Sequence, residues 1–185
     1  KNNDSVIVPS FSFISTVNSV LFVNAKPIFT DIEEDTFGLD PNSILEKITP
    51  QTKIIVPMDY GGLPCKIKEI KQIANDHNIL VVEDAAEAFG SKNKDKILGS
   101  FGICGCFSFA PNKIITTGQG GLVITNNKKV FLRIKQLKDQ GRVNTFNEKN
   151  FYHYRGFNFK FTDLQASIGI SQIKDFSERK KKLLN

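Results

Sequence analysis

Histidine and cysteine are scarce in this chain, with two His and three Cys among 185 residues. His77 and His153 are the nitrogen ligands on offer, and Cys65, Cys104 and Cys106 lack the spacing of a zinc site. An odd cysteine count also excludes a disulfide framework; three small buried residues in a reducing cytoplasm are the expectation. No apolar run approaches the roughly 20 residues that a membrane-spanning helix needs. No secretory signal stands at the start, although the first residue is Lys1 rather than Met. The turn after the first apolar strand has no Gly-x-Gly-x-x-Gly pattern, which sets aside a nicotinamide dehydrogenase. Neither an internal repeat nor an internal domain boundary is visible, so one domain over 1–185 is expected.

What is present reads as a globular α/β chain. Hydrophobic residues make up 40% of it, enough at this length for a substantial core. The net charge of +6 is spread along the sequence and concentrates only in Arg179-Lys180-Lys181-Lys182. Without an aromatic stacking platform or a zinc motif beside it, that run is a solvated helix face and not a nucleic-acid site, though the charge favours anionic nucleotides. Short apolar runs predict strands over 5–9, 27–31, 53–57, 79–83, 104–109 and 121–125. Between them, helices are predicted over 16–23, over 41–48 with Asp40 as N-cap and Pro41 at the first position, and from Ile67 to His77. Polar loops are expected over 91–99 and 144–149, and Met58-Asp59-Tyr60-Gly61-Gly62 is a glycine-rich loop at a strand's carboxyl end. A helix carrying Val130, Ile134 and Leu137 closes at Gly141, and another starts at Thr162 and runs through Leu164, Ile168, Ile173 and Phe176 into the basic end. Strands alternating with helices predict a three-layer α/β/α sandwich with a mostly parallel sheet.

Two stretches carry chemistry. In Phe107-Ser108-Phe109-Ala110-Pro111-Asn112-Lys113, a buried-type strand ends in a hydroxyl, a Pro-Asn turn follows, and a single Lys is presented before the exit Gly118-Gln119-Gly120-Gly121. An amine partly withdrawn from water can lose its proton and attack a carbonyl, as a Schiff-base lysine must. Ser108 is placed to hold a phosphate beside it, and the glycines let backbone approach a flat ligand. Upstream, Val81-Val82-Glu83-Asp84 ends an apolar strand in an acid. A carboxylate at the carboxyl end of a neighbouring parallel strand faces the same crevice as Lys113. Pyridoxal 5'-phosphate needs such a pair, a Lys for its aldehyde and an acid for its ring nitrogen.

The segments Val8-Pro9-Ser10-Phe11-Ser12-Phe13, Glu83-Asp84-Ala85-Ala86-Glu87, Gly99-Ser100-Phe101-Gly102, Phe107-Ser108-Phe109 with Asn112-Lys113, and Gly118-Gln119-Gly120-Gly121 occur in that order. Together they resemble the DegT/DnrJ/EryC1/StrS family of pyridoxal-phosphate sugar aminotransferases, over nearly the whole chain. The resemblance implies the large domain of a fold-type-I transferase, without the phosphate-binding Ser/Thr-Gly-Thr turn that would precede Lys1 and the small domain that would follow Asn185. It implies that Lys113 holds the cofactor and moves protons, Asp84 meets the ring nitrogen, Phe13 stacks on the ring, and Ser108 holds phosphate. Glu87 takes the position near the ring hydroxyl where many relatives carry Gln or His. Tyr154-Arg155-Gly156-Phe157-Asn158-Phe159-Lys160 is similar to the family's Gly-Tyr-Asn-Tyr-Arg segment, which places Asn158 on the cofactor phosphate of a second subunit in a homodimer. Gln119 stands where Glu is usual and is read as structural, and His153 as a surface or interface residue. The implied reaction moves an amino group from an amino acid, L-glutamate, to a nucleotide-linked keto-deoxy-sugar, and perosamine-synthase-like relatives point to amination at the sugar's fourth carbon. Related sugar dehydratases carry His where Lys113 stands, and a non-catalytic regulator or nucleotide-sugar-binding module on the same fold is the reading from another class.

Overall fold

The computed structural model describes residues 3–143, 152 and 154–184. The chain forms two compact units, Lys1–Ser108 with Gly121–Ile124, and Phe109–Gly120 with Thr125–Asn185.

The first unit is built on a six-stranded sheet. Its strands are β1 (Ser5–Pro9), β2 (Lys26–Thr30), β3 (Thr52–Ile55), β4 (Leu80–Asp84), β7 (Cys104–Ser108) and β8 (Gly121–Ile124), in the order β2-β1-β3-β4-β7-β8. All pairings are parallel except β7 with β8, which is antiparallel as expected. Alternation along the strands sorts side chains to two faces. Val6 and Val8 of β1 pack with Val20 of α1 (Ile14–Phe22) on one face. Ile7, Ile55 and Val81 pack on the other, against Ile44 of α2 (Pro41–Lys47) and Ile67 and Ile70 of α3 (Ile67–Asp76). Helices therefore cover both faces, and the architecture is an α/β sandwich with a mostly parallel sheet. Asp40 caps α2 as expected, its carboxylate accepting from Asn42 N at 3.0 Å.

Three expectations are corrected. The stretch 91–99 is no loop throughout: β5 (Lys92–Asn93) and β6 (Lys96–Ile97) form a small antiparallel hairpin whose turn residue Lys94 has φ 54°. Beyond it, Leu98 is buried. Cys65 is buried, but Cys104 and Cys106 are only half-buried, because their strand parity turns them away from the main core that receives Phe107. The last helix is two helices, α5 (Asp163–Lys174) and α6 (Phe176–Leu184), parted at Asp175, whose φ of −95° and ψ of 5° leave the helical range.

In the second unit, α4 (Lys128–Lys138) is capped by Asn127, whose side chain accepts from Lys129 N and Val130 N, and Gly141 follows it at φ 82°. Thr162 caps α5 in a reciprocal capping box with Gln165. The polar connection expected over 144–149 and His153 lie outside the described residues.

Candidate active site

The carboxyl ends of the parallel strands share one edge of the sheet. Glu83 and Asp84 are consecutive at the end of β4, and alternation sends them to opposite faces. Glu83 is 1% exposed and turns into the main core. There its Oε1 accepts from Phe101 N and Gly102 N, both at 2.5 Å, and its Oε2 accepts from Gly99 N at 2.8 Å. Burial pushes this carboxyl's pKa up against the pull of the three N–H groups and Lys96. Glu83 thus anchors the Gly99–Gly102 turn, which explains why two of the sequence motifs travel together. Gly105 packs on the Gly99 backbone, leaving no room for a side chain at Gly105, while a side chain at Gly99 would meet the Phe107 ring.

Asp84 turns to the α1 face. Its Oδ2 accepts from Thr16 Oγ1 at 2.5 Å and its Oδ1 from Ala86 N at 3.2 Å. The next element after Asp84 is a strand, so its carboxylate caps no helix. Thr16, 5% exposed, sits in the first turn of α1 and in turn accepts from Ser12 Oγ at 3.1 Å. The loop after β1 therefore reaches over the end of β3 to hold an acid on β4. Sequence reasoning missed Thr16: it was read as a helix start, and no local pattern announces a contact 68 residues away.

Phe13 occupies the N-cap position of α1, and its ring is 70% exposed, so it is not a core phenylalanine. Ser108 closes β7 on the face that also carries Asp84, since Asp84 pairs with Cys106 and Ser108 lies two residues on. That offset is ~7 Å along the strand and ~5 Å across. Glu87, half-buried in the loop after β4, accepts from Gly61 N at 3.0 Å and ties that loop to the 3-10 turn Tyr60–Gly62. Asp59 just before this turn is 1% exposed; its Oδ1 accepts from Cys65 N at 3.1 Å while Oδ2 has no hydrogen-bond partner. Burial, aided by the charges of Glu83 and Asp84 and opposed by Cys65 N–H, pushes its pKa up to about 6. The sequence offered no signal for this beyond its place in the glycine-rich loop.

The second unit holds Lys113 and Asn158. The segment 109–120 is a loop closed at its base: Phe109 N donates to Gly120 O at 2.9 Å and Thr117 N to Phe109 O at 3.1 Å. Within it Lys113, half-buried, ends a turn in which its N–H donates to Ala110 O at 3.1 Å. Thr116 N donates to Gln172 Oε1 of α5 at 3.0 Å, and Gln165 Nε2 to Gln119 O at 2.7 Å, so α5 braces the loop's exit. Asn158 is exposed and bridges Asp139 in antiparallel fashion. The flanking rings of Phe157 and Phe159 stack at 4.9 Å, fixing the extended backbone between them. Lys160 Nζ meets Asp139 Oδ1 at 2.9 Å, a bond that holds the Asp139 carboxyl below its ordinary range.

Among the described residues no group of three or more His, Cys, Asp and Glu is arranged to hold a metal ion. No described helix is long and apolar enough to cross a membrane.

The site is thus an acid at one strand end and a hydroxyl at the next, on a mostly parallel α/β sheet. Residues 1–183 match the DegT/DnrJ/EryC1/StrS aminotransferase family, and the chain belongs to it. It is 39% identical over 183 residues to a GDP-perosamine synthase of Escherichia coli O157:H7, covering 97% of this chain and 50% of that protein. To the GDP-perosamine synthase of Caulobacter vibrioides it is 41% identical over 175 residues, or 95% of this chain and 47% of that protein. The crystal structure of an aminotransferase from Psychrobacter cryohalolentis superposes with a TM-score of 0.87 at 35% identity, covering 94% of this chain and 46% of that one. The chain thus spans about half the length of the relatives it matches.

The residues of the first unit suit pyridoxal phosphate. Both groups that hydrogen-bond Asp84 are neutral, so among the described residues its charge has no counter-ion, and a protonated pyridine nitrogen is the cation such a site accepts.

Proposed function

We propose that this chain is the cofactor-binding large domain, over 1–185, of a pyridoxal-phosphate aminotransferase acting on a nucleotide-linked keto-deoxy-sugar. The observation that carries the reading is Asp84, fixed at the end of β4 by Thr16 and Ala86 with no cation paired to it among the described residues, in a chain about 40% identical to GDP-perosamine synthases. When bound, the cofactor supplies an electron sink for charge developing on the amine-bearing carbon. Asp84 orients and neutralises the pyridinium, Phe13 covers one face of the ring, and Glu87 stands by the ring hydroxyl. Ser108 donates to the phosphate, and Asn158 does so from the second subunit of a homodimer. Lys113 would hold the cofactor through its amine and, when that amine is free, would serve as the base that moves a proton at the amine-bearing carbon of the substrate. The donor is L-glutamate, and the product an amino sugar for a surface polysaccharide made in the cytoplasm. The C4-amination of perosamine synthesis is the regiochemistry favoured by these relatives.

The test is to incubate the full-length protein with pyridoxal phosphate, L-glutamate and a panel of GDP-, UDP- and dTDP-linked keto-sugars, following 2-oxoglutarate and the mass of the product. Lys113→Ala is expected to lower turnover by at least ~100-fold and to abolish the absorbance of covalently held cofactor. Transamination retained by that variant overturns the assignment, and ligand binding without 2-oxoglutarate supports a non-catalytic module instead.

A further inference from the structure

The reading of Asp84 leaves open what holds its carboxylate in one orientation. A carboxylate at the end of a strand can rotate about its last bond, and a rotated one offers a flat ring no fixed acceptor. Two donors stop that rotation here, Ala86 N on Oδ1 and Thr16 Oγ1 on Oδ2. The backbone donor is part of the turn itself, whereas the hydroxyl comes from α1 across 68 residues of sequence and has the shorter contact, 2.5 Å.

The direction of the hydroxyl chain is determined by the donors available. An ionised carboxylate only accepts, so the single hydroxyl hydrogen of Thr16 is committed to Asp84. Thr16 Oγ1 must then accept from Ser12, whose Oγ lies 3.1 Å away and nearer to Thr16 than to Met58 Sδ or Phe13 O, both at 3.4 Å. A donor that is itself hydrogen-bonded in this sense is polarised and binds an anion more strongly. Thr16 is almost fully buried, so water cannot substitute for it. The same turn carries Phe13 at the helix N-cap.

We propose that Thr16, polarised by Ser12, is a positioning residue that fixes the Asp84 carboxylate for the cofactor's ring nitrogen, and that the turn 12–16 couples this acid to the aromatic proposed to cover the ring. The proposal rests on the cofactor reading of Asp84. In this role Thr16 acts through Asp84, to which it donates its hydrogen bond.

A double-mutant cycle on the full-length protein tests this, with the pyridoxal-phosphate dissociation constant measured by fluorescence and folding followed by thermal melts of the cofactor-free form. Thr16→Val is expected to weaken cofactor binding about tenfold or more, the scale of a lost hydrogen bond to a charged group. Thr16→Ser, which keeps the hydroxyl, restores affinity to within about threefold of wild type. In an Asp84→Asn background Thr16→Val changes the dissociation constant by less than about twofold, because the group it positions is no longer charged. If Thr16→Val and Asp84→Asn weaken binding independently, or if Thr16→Ser is as impaired as Thr16→Val, the positioning role is overturned. If Thr16→Val does not fold, the comparison of Thr16→Ser with Thr16→Ala decides in the same way. Undiminished affinity in Asp84→Asn alone instead overturns the cofactor reading on which the proposal stands.

Discussion

Asp59 shows how one buried side chain gives the fold a pH dependence. Its carboxyl is raised from 3.8 to about 6, so the folded state favours the neutral form. Its stabilising contribution is complete below about pH 4 and is lost as the pH climbs through about 6. Asp59→Asn keeps an acceptor for Cys65 N–H and removes the charge. The variant's stability relative to wild type is therefore expected to rise by roughly 3 kcal/mol between pH 4 and pH 7 and to level off above that. Urea denaturation across this range measures the difference. Because the Glu83 charge helps raise the Asp59 carboxyl, the difference reads Asp59 together with its coupling to Glu83. Parallel curves for the two proteins mean that Asp59 finds a charge-stabilising partner.

At the scale of elements, the pair Glu83-Asp84 uses strand alternation to give adjacent acids opposite duties. Asp84 faces the candidate site, and Glu83 fastens the Gly99–Gly102 turn beneath it. Glu83→Gln offers one carbonyl oxygen to three N–H donors and turns an amide N–H2 toward at least one of them. The expected cost is ~1–3 kcal/mol in unfolding free energy. Hydrogen exchange at Gly99, Phe101 and Gly102 is expected to accelerate more than exchange in α2 or α3, which mass spectrometry of proteolytic fragments would resolve. Uniform acceleration across the first unit means that the turn has no separate anchorage.

At the scale of the whole molecule, the proposed function makes each active site a product of two chains. If Asn158 serves the partner's cofactor, a subunit carrying Lys113→Ala still donates a sound Asn158, and one carrying Asn158→Ala still has a sound Lys113. Mixing the two inactive proteins and allowing subunits to exchange then assembles one complete site per heterodimer. About a quarter of wild-type activity is expected in a statistical mixture, as half the dimers are mixed and each holds one site of two. Activity that stays at the level of the separate variants places Asn158 in its own subunit's site.

Much of the architecture was legible because it depends on short-range patterns. Apolar runs marked the six main strands, while Asp40 and Thr162 announced their helices through local hydrogen bonds that a sequence displays directly. The break at Asp175 and the hairpin over 92–97 were harder, since each turns on the backbone angles of one or two residues. The ordered motifs identified the family and made Asp84, Ser108 and Lys113 candidates. Only the fold decided that Thr16 would grip Asp84, that Glu83 would hold a turn instead of joining the site, and that Asp59 would be buried with one oxygen unsatisfied. Periodicity assigns a side chain to a face, but its partner there is chosen by strand order and register, and those are settled by packing between segments distant in the chain.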